Sequence, residues 1–175
     1  LTLTAALLVG AALVFFVIER ANPRTLGAMS LPDAMLAAWF QSVSPRTAGF
    51  NTVDIGTLMP ASLFMILLLM FIGAAPGGTA GGVKITTFSV TVAAIWAMVR
   101  GQAEPTLFER RLPASLVARA FSICLIAFLA LNVAAGFLLV FEERQFLPTL
   151  FETTSAVGTV GLSMGEAGAP VSLSG

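Results

Sequence analysis

The sequence contains no histidine and a single cysteine, Cys124, which lies inside an apolar run. The absence of histidine excludes Ser-His and Cys-His nucleophilic pairs and histidine-containing zinc sites, and removes the side chain best suited to proton transfer near neutral pH. One cysteine excludes a disulfide framework within the chain. We therefore expect that the protein is not an enzyme and that it needs no cofactor.

Charged residues are also scarce. They make up 10% of the 175 residues, against 57% hydrophobic residues and a mean hydropathy of +0.94, whereas a soluble domain carries about 25% charged residues. The nine basic and nine acidic residues balance, and no basic stripe is available to grip a phosphate backbone. The composition indicates an all-α membrane protein and argues against a nucleic-acid partner.

Three long apolar runs predict helices that span the membrane. Residues 1–18 and 115–141 are long enough to cross a hydrocarbon core of about 30 Å. Residues 59–99 would measure roughly 60 Å as one helix, but five glycines and a proline interrupt them at residues 73–84. Unwound backbone at membrane depth is tolerated only beside protein or a water-filled cavity, so this stretch should border a pore. The arginine-rich connector of residues 100–113 is expected in the cytoplasm.

Two shorter apolar segments predict helices that enter the membrane without crossing it. Residues 31–43 and 146–155 are too short to span. Each is followed by a polar or glycine-containing loop, at residues 44–54 and 156–164 respectively. A short helix followed by such a loop is typical of a re-entrant segment. The order of span, short helix and loop therefore occurs twice, with both copies in the same orientation.

The two re-entrant segments are also similar in sequence. FQSVS at residues 40–44 matches FETTS at 151–155, and TAGFN at 47–51 matches TVGLS at 159–163. A short extended stretch with a glycine can turn successive carbonyl oxygens toward one axis and replace the hydration shell of a cation. The letters TVG are also the first three of the potassium-channel filter sequence TVGYG. The alternative is that these small residues only allow helices to pack closely. The predicted potassium-binding groups are the backbone carbonyls of Thr47, Ala48, Gly49, Phe50, Thr159, Val160, Gly161 and Leu162.

On these motifs, the chain resembles the Trk/Ktr/HKT superfamily of potassium transport proteins, and in particular their bacterial pore subunits. The two loops resemble the third and fourth filter loops of that superfamily, and Gly49 and Gly161 resemble its filter glycines. The resemblance implies four repeats of helix, pore helix, filter loop and helix around one pore. Residues 1–112 would form the third repeat and residues 113–175 part of the fourth. We therefore expect a C-terminal fragment that lacks the first two repeats and the final span.

The resemblance extends to the glycine-rich stretch of residues 73–84, which is similar to the intramembrane gate loop of the superfamily. It implies a multi-pass location in a bacterial inner membrane. The implied partners are the remaining repeats of the same chain, a second copy in a homodimer, and cytoplasmic nucleotide-binding regulatory subunits. The implied gate residues are Gly73, Pro76, Gly77, Gly78, Gly81, Gly82 and Lys84.

The sequence leaves several alternatives open. Lys84 lies near the permeation path or pairs with a carboxylate outside the chain. Arg46 braces filter carbonyls or extends to the outer surface. Glu152 raises the local concentration of cations or only accepts hydrogen bonds from nearby backbone donors. The main alternative function is an ion-coupled secondary transporter with discontinuous helices.

Overall fold

The computed structural model describes residues 2–73, 81–101, 105–107, 110–141 and 145–165. Within these ranges it contains a small antiparallel hairpin, β1 (Thr106–Leu107) and β2 (Arg110–Arg111), in the arginine-rich connector. All other regular structure is helical, which confirms the expected fold class. The α-helices are α1 (Thr2–Glu19), α2 (Leu31–Val43), α3 (Pro60–Phe71), α4 (Ile85–Val99), α5 (Ala114–Phe141) and α6 (Phe146–Val157).

Two of these helices are long and apolar enough to cross a membrane. They are α1, with 18 residues, and α5, with 28 residues. Most of their surface is not covered by other described residues, as expected for helices that face lipid or further helices. Their bounds differ from the predicted spans by one residue, because α1 includes Glu19 and α5 begins at Ala114.

The short helices begin and end where local sequence dictates. Helix α2 covers residues 31–43, as predicted, because Ser30 caps its first turn by accepting a hydrogen bond from the Asp33 N–H and Pro32 suits that turn. Helix α6 continues to Val157, two residues beyond its predicted end, and stops at Gly158. The second loop therefore begins at residue 158 rather than 156. At about 18–20 Å each, both helices are too short to span.

The third predicted span is broken into α3 and α4, which flank the glycine-rich stretch. Ile72 and Val83 form an isolated parallel bridge. In this bridge the Gly73 N–H donates to the Val83 carbonyl over 2.8 Å, and the Val83 N–H donates to the Phe71 carbonyl over 3.0 Å. Because the bridged strands run in parallel, the chain leaves the glycine-rich stretch in the direction in which it entered. The bridge thus brings the chain back beside the end of α3 before α4 begins.

One buried core joins the two halves of the chain. Its centre contains Phe15 from α1, Ile66 from α3 and Phe151 from α6, each with no solvent exposure. Val160 and Leu162, from the second loop, belong to the same cluster. The loops are thus anchored in the apolar core through their own side chains.

A buried carboxylate ties the end of α1 to the start of α3. Glu19 has no solvent exposure, and its Oε1 accepts from the Met59 N–H over 2.8 Å. Its Oε2 accepts from the Asn22 amide over 2.8 Å and from the Thr25 hydroxyl over 2.5 Å. The bond to Met59 links residues 40 positions apart in the sequence.

Replacing Glu19 by methionine should destabilise the protein without changing the side chain's length. The substitution leaves the Met59 N–H, the Asn22 amide and the Thr25 hydroxyl without their acceptor, at a cost of about 3 kcal/mol in total. We expect the midpoint of thermal unfolding of the full-length protein in detergent to fall by several degrees. Arg24→Ala, an exposed change in the same connector, should leave the midpoint unchanged. An equal midpoint for Glu19→Met and the parent would show that this network contributes nothing to stability.

Candidate functional site

The two loops that follow α2 and α6 share an unusual backbone conformation. Thr47 and Gly49 have φ values of 69° and 71°, and Thr159 and Gly161 have φ values of 53° and 90°. The residues between them, Ala48 and Val160, do not have positive φ. A positive φ is uncommon for a residue other than glycine, and here it occurs at the threonine in both loops. Both loops therefore follow the same alternation of positive and non-positive φ over three residues.

The structure brings the two loops into direct contact. A Cβ atom placed on Gly49 would lie 2.4 Å from the Val160 carbonyl oxygen and 3.4 Å from the Gly161 Cα. A Cβ on Gly161 would lie 3.7 Å from the Gly49 Cα. Gly49 is therefore required at this point both for its positive φ and for the close approach of the second loop. The two predicted filter glycines lie side by side.

A serine at the end of each short helix holds the loop that follows. The Ser44 hydroxyl donates to the Phe50 carbonyl, so one lone pair of that predicted potassium-binding oxygen is occupied by the protein. The Ser155 hydroxyl instead accepts from the Gly161 N–H over 3.1 Å. Our sequence interpretation missed this role, although the two serines are aligned in the repeat.

The electrostatic setting of both loops follows from their position. Each loop begins where a helix ends, at Ser44 after α2 and at Gly158 after α6. A helix C-terminus carries a partial negative charge of about half an elementary charge. The described loops thus lie at two sites that favour a cation over an anion.

The described end of the glycine-rich stretch docks directly on the second loop. The Gly81 N–H donates to the Thr159 Oγ1 over 3.0 Å. A Cβ on Gly81 would lie 2.5 Å from that oxygen and 2.7 Å from the Gly158 carbonyl oxygen. Gly82, with φ of 74°, packs against backbone oxygens at the end of α3. At the start of the stretch, the Gly73 N–H donates to the Val83 carbonyl. Pro76, Gly77 and Gly78 lie outside the described residues.

The predicted charged residues occupy distinct places around this site. Lys84 is exposed and is the residue immediately before α4. Arg46 has its Nε and Nη2 atoms buried, and within the described residues neither is hydrogen-bonded. Arg46 therefore does not brace described filter carbonyls through these nitrogens. Glu152 lies on α6 and accepts hydrogen bonds from Ser163 and Met164, which favours the second of its two predicted roles.

Comparison with known proteins identifies the family. Residues 1–175 match the TrkH family, which is described as a cation transport protein. The chain belongs to this family. The finding confirms the predicted superfamily and places the chain among membrane transport proteins rather than enzymes.

Individual members of the family match over most of the chain. The Ktr system potassium uptake protein B of Bacillus subtilis is 40% identical over 167 residues, covering 94% of this chain and 38% of the relative. The protein of the same name from Vibrio alginolyticus is 39% identical over 159 residues, covering 91% of this chain and 35% of the relative. The chain thus spans little more than a third of the length of these relatives.

A solved structure shows the same fold. The potassium transporter TrkH from Vibrio parahaemolyticus superposes with a TM-score of 0.79 at 21% sequence identity, covering 97% of this chain and 38% of that chain. The match covers nearly the whole chain and supports the all-helical fold described above.

Replacing Gly49 by alanine should disrupt the contact between the two loops. The new Cβ would overlap a backbone oxygen of the second loop, and the positive φ adds backbone strain, so we expect a loss of about 2–3 kcal/mol. The midpoint of thermal unfolding of the full-length protein should fall accordingly. Gly10→Ala, on α1 with no described atom within 4 Å of its Cβ, is the matched control and should not lower the midpoint. A Gly49→Ala protein as stable as the Gly10→Ala protein would contradict the observed loop contact.

Proposed function

We propose that this chain contributes two of the filter loops of a potassium-conducting pore. The observation that carries the proposal is the shared backbone of the two loops: each alternates positive and negative φ over three residues, and the loops touch at Gly49 and Gly161. A short stretch with residues at positive φ can turn successive carbonyl oxygens toward one axis, as a carbonyl-lined cation site requires. The proposed ligands are the carbonyl oxygens of residues 47–50 and 159–162.

The physical task of such a filter is to replace water around a desolvated ion. Carbonyl dipoles provide oxygen ligands without a fixed negative charge, so the ion is held but can leave for the next site. The ends of α2 and α6 add a favourable potential at the same place. Potassium is then the substrate of the protein, and no cofactor is needed for its movement.

The complete pore is proposed to require more than this chain. The chain covers 38% of the potassium uptake protein B from Bacillus subtilis, which leaves room for two further repeats and a final span. We therefore place the chain in a multi-pass protein of the bacterial inner membrane. A homodimer and cytoplasmic nucleotide-binding regulatory subunits are its proposed partners, as the resemblance implies.

The glycine-rich stretch of residues 73–84 is proposed to gate the pore. Its described ends are pinned together by the bridge between Ile72 and Val83, and Gly81 is bonded to Thr159 at the start of the second loop. Movement of the stretch away from the filter loop must break that hydrogen bond. Glycine makes the rearrangement inexpensive because several backbone conformations are open to it.

An ion-coupled transporter with discontinuous helices is not favoured. Many such transporters are built from inverted repeats. Here α3 and α4 together form one proposed crossing between α1 and α5, so α1 and α5 cross in the same direction and the two repeats have one orientation. The named relatives are potassium uptake and transport proteins.

Replacing Gly161 by serine should lower potassium selectivity. The site has room for a side chain, since a Cβ would meet its nearest described neighbour at 3.7 Å, but φ of 90° is strained for any other residue. The carbonyls should therefore shift while the protein still assembles. We expect the ratio of potassium to sodium uptake by the full-length protein in proteoliposomes to fall about tenfold, which corresponds to about 1.4 kcal/mol.

The control is Gly136→Ser on α5, where a Cβ has no described atom within 4 Å. Its uptake ratio should match that of the parent protein. If Gly161→Ser also transports both ions in the parental ratio, the second loop is not part of a filter.

Replacing Gly81 by alanine should favour the open gate. The added Cβ would overlap the Thr159 hydroxyl and the Gly158 carbonyl, so the glycine-rich stretch must withdraw from the filter loop. We expect the passive potassium leak from proteoliposomes without regulatory subunits to rise severalfold, whereas Gly136→Ala leaves it unchanged. A leak no greater than that of the parent, in protein that elutes as a single species, would count against a gate at this position.

A further inference from the structure

Glu152 connects α6 to the part of the second loop that follows Gly161. Its side chain is half-buried, and a single oxygen, Oε1, accepts two hydrogen bonds. One comes from the Ser163 hydroxyl over 2.8 Å and the other from the Met164 N–H over 2.9 Å. The two donors lie 11 and 12 residues after Glu152 in the sequence. The carboxylate therefore connects the end of the second loop to α6.

The inner part of the same loop is held by different groups. The Val160 N–H donates to the Ser155 carbonyl over 2.8 Å, and the Gly161 N–H donates to the Ser155 hydroxyl. These bonds do not reach residues 163–164. We call residues 163–164 the outer limb of the second loop. Among the described residues, Glu152 provides the polar attachment of this limb to α6.

The second loop also lines a cavity. A cavity of about 440 Å³ is bounded by Glu152, Ser155, Ala156 and residues 159–163. The buried side chains of Leu162 and Met164 anchor one side of the limb, but apolar contacts do not fix the rotation of a peptide group. Hydrogen bonds to the carboxylate do fix it, because they are directional.

We propose that Glu152 is a positioning residue that sets the geometry of the outer filter carbonyls and thereby the ion selectivity of the pore. The proposal rests on the function proposed above. By holding Ser163 and Met164 to α6, the carboxylate fixes where the peptide groups of Gly161 and Leu162 point. Discrimination between potassium and sodium depends on the arrangement of the coordinating carbonyls, so a limb released from α6 should discriminate less.

The first repeat provides a natural comparison. The position that matches Glu152 is Gln41, which is fully buried, and neither of its polar side-chain atoms is bonded to a described residue. The first loop is held instead by the Ser44 hydroxyl on the Phe50 carbonyl. The carboxylate attachment is thus a feature of the second loop, and Gln41 offers a control at the equivalent position.

The test measures the ratio of initial potassium to sodium uptake by full-length protein in proteoliposomes. Glu152→Met removes the acceptor and should lower the ratio about tenfold. Glu152→Gln keeps an acceptor oxygen without the charge and should stay within about threefold of the parent. Gln41→Met, the repeat-matched control, should keep the parental ratio. An unchanged ratio in Glu152→Met would overturn the proposal, as would an equal loss in Glu152→Gln, since the charge rather than the attachment would then matter.

A second variant covers the case in which Glu152→Met does not assemble. Ser163→Ala removes one of the two hydrogen bonds and should lower the ratio by about threefold; an unchanged ratio would overturn the proposal. Gly161→Ser, measured in parallel, separates this inference from the proposed function. If Gly161→Ser changes the ratio and neither Glu152→Met nor Ser163→Ala does, the filter stands and the role of Glu152 fails. If none of the three changes it, the filter itself fails.

Discussion

Every peptide group at membrane depth must find a partner in the protein or face a water-filled space, because lipid offers neither donor nor acceptor. This constraint determines how the two re-entrant loops are built. Their inward N–H groups bond to the ends of the short helices, as the Gly49 N–H does to the Ser44 carbonyl and the Val160 N–H to the Ser155 carbonyl. These N–H groups are thus satisfied within the protein, as the constraint demands.

Close packing of small residues lets three separate segments share this space. Because Gly49 has no side chain, the Val160 carbonyl can lie close to it. Gly81 in the same way leaves room for the Thr159 hydroxyl and the Gly158 carbonyl. A side chain at either glycine would force apart segments that are far apart in the sequence. The same compactness links the described end of the glycine-rich stretch to the second loop through a hydrogen bond from the Gly81 N–H to the Thr159 hydroxyl. The proposed gate and the proposed filter are therefore in direct contact.

Much of this architecture could be predicted from the sequence because lipid makes segment length and chain breaks decisive. The lengths of the apolar runs separated the spans from the short helices, and the bounds of α2 could be assigned from Pro32 and Asp33 in its first turn and from Ser44 and Pro45 after it. The roles of Glu19 and Ser155 could not be predicted. The Met59 N–H that donates to Glu19 lies 40 residues away in the sequence, and a serine hydroxyl does not reveal its partner until the backbone is folded.

The repeats are alike in backbone but not in the bonds that maintain it, and this difference has a physical origin. The positive φ values at Thr47 and Thr159 agree within 16°, yet the serine after each short helix donates in one loop and accepts in the other. A hydroxyl can do both, so sequence similarity preserves the residue while its partner changes. The second loop has one more residue between the serine and the threonine, which moves a different peptide group within reach of the hydroxyl. Two loops of the same backbone conformation can then differ in stiffness, because different hydrogen bonds hold them.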